Sequence, residues 1–283
     1  MGTITHSEFH SDNVVYNHIT RENNKSWDYN FHFHDVTEMI FFKSGNVSYV
    51  VGSKKYKLKK NTLVFSRPTD WHYISIDGPQ EYERYNILYD EKKLPFNIYK
   101  KIPADMNVID FSENSNMINL FGKMDFYAET LTGENLDRMM KNLIEEIFYN
   151  IIIEVSSKGQ KMYENTNPIV SRAISYIDEN LLTLGGLEEI CNELFITKSH
   201  LHHLFKKYLK ITPKKYITAK RLAVAQREIY AGKKATDACL KCGFSDYSAF
   251  FRAYKNHFGR CPTDSVNVKY MPDLKENIFR KYD

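Results

Sequence analysis

Residues 32 to 45, HFHDVTEMIFFKSG, set two histidines and a carboxylate at the spacing H-x-H-x3-E, and a further imidazole follows at His72 in RPTDWH. Imidazole and carboxylate donors gathered inside a barrel can hold Fe, Mn, Ni or Zn. The same groups also line polar pockets that take small molecules. Tyr49 and Trp71 add flat faces on which the apolar side of a sugar ring can stack, although core packing explains an aromatic equally well. A second constellation, Cys239 and Cys242 in CLKCGF, has the C-x-x-C spacing of a zinc or redox site. Residues three apart share a helical face whether they ligate or pack, so the surrounding pattern has to decide.

That pattern favours packing. Ala235, Ala238, Cys239 and Cys242 fall at i, i+3, i+4 and i+7, one apolar stripe of a short helix. A zinc site needs two more ligands, for which Cys261 and a few histidines are the candidates. Segments 187–213 and 235–262 also repeat one plan: short helix, turn, longer helix with an aromatic and basic end, proline stop. Cys191 aligns with Cys239, Leu194 with Cys242, Leu201 with Phe250, Phe205 with Tyr254 and Pro213 with Pro262. Thr197 and either Ser245 or Asp246 cap the second helix of each unit. Leu201, Leu204, Phe205 and Tyr208 face one core; Phe250, Tyr254 and Phe258 face the other. The opposite faces carry Ser199, His202, His203 and Lys206, and Tyr247, Ser248, Arg252, Lys255 and Asn256. Between the repeats, Thr212-Pro213 starts and Gly232 stops a helix of about 18 residues, roughly 27 Å long and close to one turn of B-DNA.

Charge follows the same division. Residues 168–266 hold 16 Lys and Arg against 9 Asp and Glu, whereas residues 1–167 hold 19 against 23. The basic excess sits on the repeat and suggests a polyanion as its partner. Four cysteines, all in the last third, do not form a secreted disulfide framework, and no apolar run reaches membrane length, so a cytoplasmic chain is expected. From Val14 to Tyr89, short apolar or alternating runs broken by SGN, GSKK, KKN and DGPQ predict a small β-barrel or sandwich. Helical periodicity follows: Leu120, Met124 and Tyr127 in one helix, then Leu136, Met140, Leu143, Ile147 and Ile151 in a second. The polar stretch 156–167 is a linker, and Asn167-Pro168 caps the first helix of a compact helical domain.

The segments RLAVAQREI and CGFSDYSAFFRAYKNHFGRCP, with the paired units around them, resemble the AraC/XylS family of transcription regulators over about residues 168–266. Departures are Gly186 in place of a Ser or Thr cap, Lys210 in place of glycine, and Tyr247 where proline is frequent. The resemblance implies base-facing positions for Ser199, His202, His203, Tyr247, Ser248 and Arg252, with Lys206, Lys255 and Asn256 nearer phosphates. HFHDVTEMIFFKSG likewise resembles the first motif of the cupin fold, and cupin sensor domains commonly precede the DNA-binding half in this family. The second cupin motif is incomplete: Asn61 replaces glycine, the Pro68-to-His72 spacing is one residue short, and Ile76 stands where asparagine would follow. We therefore expect His32, His34, Glu38, Tyr49, Trp71 and His72 to line an effector pocket, with no metal and no cofactor.

The expected fold is a multidomain α+β chain. A cupin-like barrel over 1–111 is followed by helices over 112–157, a linker over 158–167, an all-α double helix-turn-helix domain over 168–268 and a tail over 269–283. The apolar face of the segment from about Glu134 to Val155 exceeds what one small barrel needs, and the resemblance implies a dimerisation helix there; packing on the sheet is the alternative. The expected function is a ligand-responsive regulator, an activator more often than a repressor, and not an enzyme. Its expected partners are operator DNA, a carbohydrate or carbohydrate-derived acid, a second copy of the chain and RNA polymerase, and no membrane. Two rivals are a metal-dependent cupin isomerase or dioxygenase with a DNA-binding tail, and a ligand-independent DNA-binding protein whose barrel only dimerises.

Overall fold

The computed structural model describes residues 3–11, 14–23, 27–28, 36–68, 70–90, 102–103, 106–157, 164–165, 167–259 and 261–264. They form two units, the first mainly residues up to 164 and the second 165–269. The first is built on β1 (Thr3–His10), β2 (Val14–Asn23), β3 (Trp27–Asp28), β4 (Thr37–Ser44), β5 (Val47–Val51), β6 (Lys54–Lys57), β7 (Thr62–Ser66), β8 (His72–Ile76), β9 (Gln80–Tyr89) and β10 (Val108–Asp110). One antiparallel sheet runs β1-β2-β9-β4-β7-β10 and a second runs β6-β5-β8-β3. Every residue from Thr37 to Phe42 on β4 is buried. That explains a continuous apolar run where a half-exposed strand would alternate, because both faces of β4 are covered. Ile40, Phe42, Val64 and Tyr82 pack inward with Val47, Tyr49, Val51, Ile74 and Ile76 of the second sheet. The tight turn after β4 needs Gly45, whose φ is +117° and whose added Cβ would sit 2.7 Å from Tyr82 Cβ. Asn61, the departure from the cupin glycine, keeps a positive φ of 60° and donates its N–H to Phe42 O at 2.7 Å. Asparagine is among the few side chains that accept this conformation.

The outer face of the first sheet is covered by α1 (Ser115–Thr130) and α2 (Gly133–Ser157). Met39, Phe41, Phe65, Tyr85 and Ile87 share one core with Phe121, Met124, Met140, Ile147 and Phe148. Phe41 stacks on Phe121 at 4.3 Å, and the Phe148 ring meets Phe65 and Tyr89 edge-on. Leu136, Met140, Leu143, Ile147 and Ile151, the stripe expected to reach beyond one barrel, are all buried inside this core. The physical reason is area: six strands and a second helix present enough apolar surface to absorb the whole stripe. On α2 the exposed large apolar residues are Tyr149 and Ile153.

The second unit is all helical: α3 (Pro168–Asn180), α4 (Leu187–Leu194), α5 (Lys198–Leu209), α6 (Pro213–Tyr230), α7 (Ala235–Lys241) and α8 (Tyr247–Phe258). Local chemistry starts most of these helices. Asn167 Oδ1 accepts from Ile169 and Val170 N–H, Thr197 from His200, Thr212 from Lys215, and Asp246 from Ser248 and Ala249. Gly186 offers α4 no side-chain cap, and Glu189 compensates by accepting from Gly185 N–H at 2.9 Å. Cys239 and Cys242 pack with Leu222, Ala225, Ile229, Phe250 and Tyr254, as core members of the second repeat. Burial raises both thiols, Cys242 to about 11, so neither is a thiolate at neutral pH. Lys210 ends α5 in the left-handed region, φ 57°, where glycine would carry no Cβ strain.

Docking of α1 on the sheet contains one polar hub. Asp125 accepts from Tyr16 OH at 2.5 Å, from Tyr85 OH at 3.1 Å and from Ser7 Oγ. His18 lies between two carboxylates, Nδ1 2.9 Å from Asp125 Oδ2 and Nε2 2.9 Å from Glu83 Oε1. Its ring stacks on Tyr85 at 3.9 Å and lies 4.5 Å from His6. Burial alone depresses the His18 imidazole, but the hydrogen bonds and charges of Asp125 and Glu83 outweigh it and raise the pKa. Burial likewise pushes the Asp125 carboxyl up, and the bonds from His18, Ser7 and Tyr16 outweigh it, holding it below the usual range. Stability from His18 is complete below its unfolded pKa of ~6.5 and is lost as pH rises through the folded value. Stability from Asp125 is complete above ~3.9 and is lost as pH falls through the folded value. Asp125→Asn is expected to cost about 2–3 kcal/mol near pH 6 and to flatten both limbs of the profile. Urea unfolding of the full chain from pH 2 to 9 measures it, and an unchanged profile would show that the hub does not contribute.

Candidate functional site

The second unit presents two matching solvent faces. Thr197 and Asp246 start α5 and α8, and burial of Leu201, Leu204 and Phe205 on one and of Phe250 and Tyr254 on the other fixes which face points outward. Ser199, His203 and Lys206 on α5 are exposed and His202 is half-buried; Tyr247, Ser248, Arg252, Lys255 and Asn256 on α8 are all exposed. Ring packing fixes both helices: Phe205 meets Tyr216 of α6 edge-on, and Phe250 meets Phe244 of the preceding turn edge-on. The Asp246 carboxyl is held low by the backbone N–H groups of Ala249 and Ser248 and by the Arg252 charge. Exposed donors on a rigid helix of this size suit the major groove, where guanidinium and amide side chains read base edges.

In the first unit, the residues singled out by sequence converge only in part. Glu38 Oε2 lies 2.9 Å from His72 Nε2, with both side chains almost wholly buried. His72 Nδ1 is 2.8 Å from Asp70 O, which fixes the ring, and the Tyr49 ring lies 5.9 Å away. Tyr49 OH and Ser66 Oγ form a buried hydrogen bond, and burial drives the Tyr49 phenol well up. Trp71 is buried immediately before β8. His32 and His34 lie outside the described residues.

Other polar groups on the inner sheet face were not anticipated. Glu38 Oε1 accepts from Asn86 Nδ2 at 2.9 Å. A carboxylate oxygen cannot donate, so the Asn86 amide must point its NH2 there and its Oδ1 elsewhere. Asn17 sits directly across from Asn86 in the β2–β9 register. The Oδ1 atoms of both are buried and meet no hydrogen-bond donor among the described residues. Arg21 and Arg84 are buried on the same face, Arg84 5.8 Å from the Tyr82 ring. The alternation in β9 carried the signal, since Tyr82, Arg84, Asn86 and Leu88 share one side. Which side faced inward was set by pairing with strands far away in sequence.

Residues 17–147 match the family model described as AraC-like ligand binding domain, and residues 190–266 match the one described as helix-turn-helix domain, together more than two thirds of the chain. The chain is 24% identical over 238 residues to the HTH-type transcriptional activator RhaS of Mannheimia succiniciproducens, covering 82% of this chain and 87% of that one. It is also 24% identical over 240 residues to the lactose operon transcription activator of Staphylococcus xylosus, covering 80% and 79%. Among solved structures, apo ToxT K231A from Vibrio cholerae aligns over 90% of this chain and 97% of that one at 12% identity, with a TM-score of only 0.39. Among the described residues, no helix is long and apolar enough to cross a membrane.

The buried Glu38 carboxylate serves both His72 and Asn86, so its loss leaves two polar groups stranded. Glu38→Ala is expected to cost about 3–5 kcal/mol, and Glu38→Gln less, since one acceptor oxygen remains for Asn86. Chemical denaturation of the full-length variants measures both, and equal losses would show that the carboxylate oxygens are not what matters.

Proposed function

The chain belongs to the AraC family of transcription regulators, and from that premise we propose that it is a sugar-responsive activator whose first unit binds the effector and whose second binds an operator. The observation that carries the effector class is the facing pair Asn17 and Asn86, two buried carboxamide oxygens that meet no donor among the described residues. An unmet buried acceptor costs about 1–3 kcal/mol, and a ligand with adjacent hydroxyls removes that cost at both positions. Glu38, His72 and Tyr49 supply further polar edges and a ring face, the mixture that sugars engage. The name of the staphylococcal relative, an activator of a lactose operon, supports the same class. Effector control then requires that the sugar bind with different affinity to two states of the regulator that differ in operator affinity.

In the second unit, Ser199, His202, His203, Tyr247, Ser248 and Arg252 are assigned to base edges and Lys206, Lys255 and Asn256 to phosphates. Operator DNA, RNA polymerase and a second copy of the chain are the macromolecular partners of this reading, the copy meeting Tyr149 and Ile153. His32 and His34 complete the effector set from sequence.

Thermal shift of the full chain against neutral sugars and sugar acids, with divalent metals as a parallel arm, tests the effector. A cognate sugar at 100 times its Kd is expected to add about 2.7 kcal/mol and raise the transition by roughly 5–10 °C, and Asn17→Ala should weaken that response. A shift seen only with Fe, Mn, Ni or Zn would favour metal chemistry at Glu38 and His72 instead; none at all would leave a ligand-independent DNA-binding protein. For the DNA face, Arg252→Ala is expected to cost ~1–3 kcal/mol and to relax preference at one base pair. Uniform weakening over all operator variants in a binding titration would reassign Arg252 to a phosphate.

A further inference from the structure

We propose that Arg221 is a positioning residue that sets the angle between the two helix-turn-helix units and thereby the operator spacing the protein accepts. Arg221 lies within α6, the helix shared by both units. Its Nε donates to Leu181 O at 2.9 Å and its Nη2 to Leu184 O at 2.5 Å, both in the chain leading from α3 to α4 in the first unit. Its Nη1 donates to Gly243 O at 2.9 Å, in the turn between α7 and α8 of the second. One planar cation thus binds both units at once.

The guanidinium suits this task because its N–H groups leave in fixed directions from one rigid plane, unlike a lysine ammonium on a rotating stem. Each acceptor is a main-chain carbonyl, so the bonds locate backbone rather than a mobile side-chain end. A separate observation agrees. Gly243 has φ +76°, and a Cβ built on it would fall 2.9 Å from Arg221 Cζ and 2.9 Å from Leu182 O. The turn of the second unit is therefore seated against the guanidinium and against the loop of the first unit, with no room for a side chain. Apolar packing on α6 holds each unit separately: Phe205 against Tyr216 for the first, and Phe250 and Tyr254 with Leu222, Ala225 and Ile229 for the second. Such packing resists separation more than a small rotation about the helix, which the three directional bonds oppose.

The consequence lies in the DNA. One base pair inserted between two half-sites rotates the second groove by about 34° and moves it by about 3.4 Å, so a fixed angle between α5 and α8 rejects the altered spacing. This inference rests on the DNA-binding function of the helical domain that contains both helix-turn-helix units. The test uses full-length protein and a duplex enriched by it from a randomised pool, then the same duplex with one or two base pairs inserted between its half-sites, and a duplex holding one half-site alone. Wild type should prefer the enriched spacing by about tenfold or more. Arg221→Met should bind the single half-site as wild type does yet lose most of that preference, and Arg221→Lys, which keeps the charge but not the fork, should lose it too. Gly243→Ala, which keeps the arginine but crowds its seat, should broaden spacing in the same way. If Arg221→Met fails to fold, the lysine and alanine variants carry the comparison. Unchanged preference in the variants, or equal weakening on every duplex including the single half-site, would overturn the proposal by reducing Arg221 to a stabilising residue. Enrichment of no duplex by wild type would fail at the DNA-binding reading before this one is reached.

Discussion

Each unit is organised around one element that is enclosed on more than one side: β4 in the first and α6 in the second. Enclosure removes water as a partner, so every polar group that an enclosed element carries must find a protein partner or remain a liability. On β4, Met39 and Phe41 meet the helices while Glu38, Ile40 and Phe42 face the barrel interior. Glu38 is tolerated there because His72 and Asn86 reach it. On α6, nine residues are buried around the helix, including Gln226 and several alanines, which is why the helix has no single apolar stripe. Arg221 is accommodated because three carbonyls converge on it.

The two units solve this with different materials. The sheet brings distant segments together, so its polar groups pair across large separations: Asn86 with Glu38, and Asp125 of α1 with Tyr16 and His18 of β2. The helical unit relies on neighbours in sequence. Its caps lie within three residues of the donors they satisfy, and its stripes repeat every third or fourth position. Small residues Ala238, Cys239 and Cys242 let α7 approach α6 closely.

This difference explains what could be read from the residue string. Both repeats, the cap residues, the span Pro213–Tyr230 and the packing role of Cys239 and Cys242 were legible because local spacing determines them. Between Ser245 and Asp246, the structure selects Asp246, whose two oxygens accept from Ser248 and Ala249. The run of short strands was legible too; Glu38 and His72 were singled out from sequence, but their direct contact at 2.9 Å emerges only from the structure. Asn17 and Asn86 were not, since they sit in strands of mixed polarity and become informative only through the β2–β9 register. The stripe of α2 was visible, but periodicity says that a face will be covered and not by what. The acceptors of Arg221 are main-chain atoms, which leave no trace in residue identity.

Every residue carries a carbonyl, so positions 181 and 184 can drift through many side chains without losing the oxygens that Arg221 requires. The outward-facing positions on α5 and α8, proposed above to read bases, stand apart from this contact. Position 243 has no such latitude, because any side chain there meets both the guanidinium and the Leu182 carbonyl. Under the spacing role proposed for Arg221, lineages descended from such a chain exchange what they recognise more easily than the separation at which they recognise it.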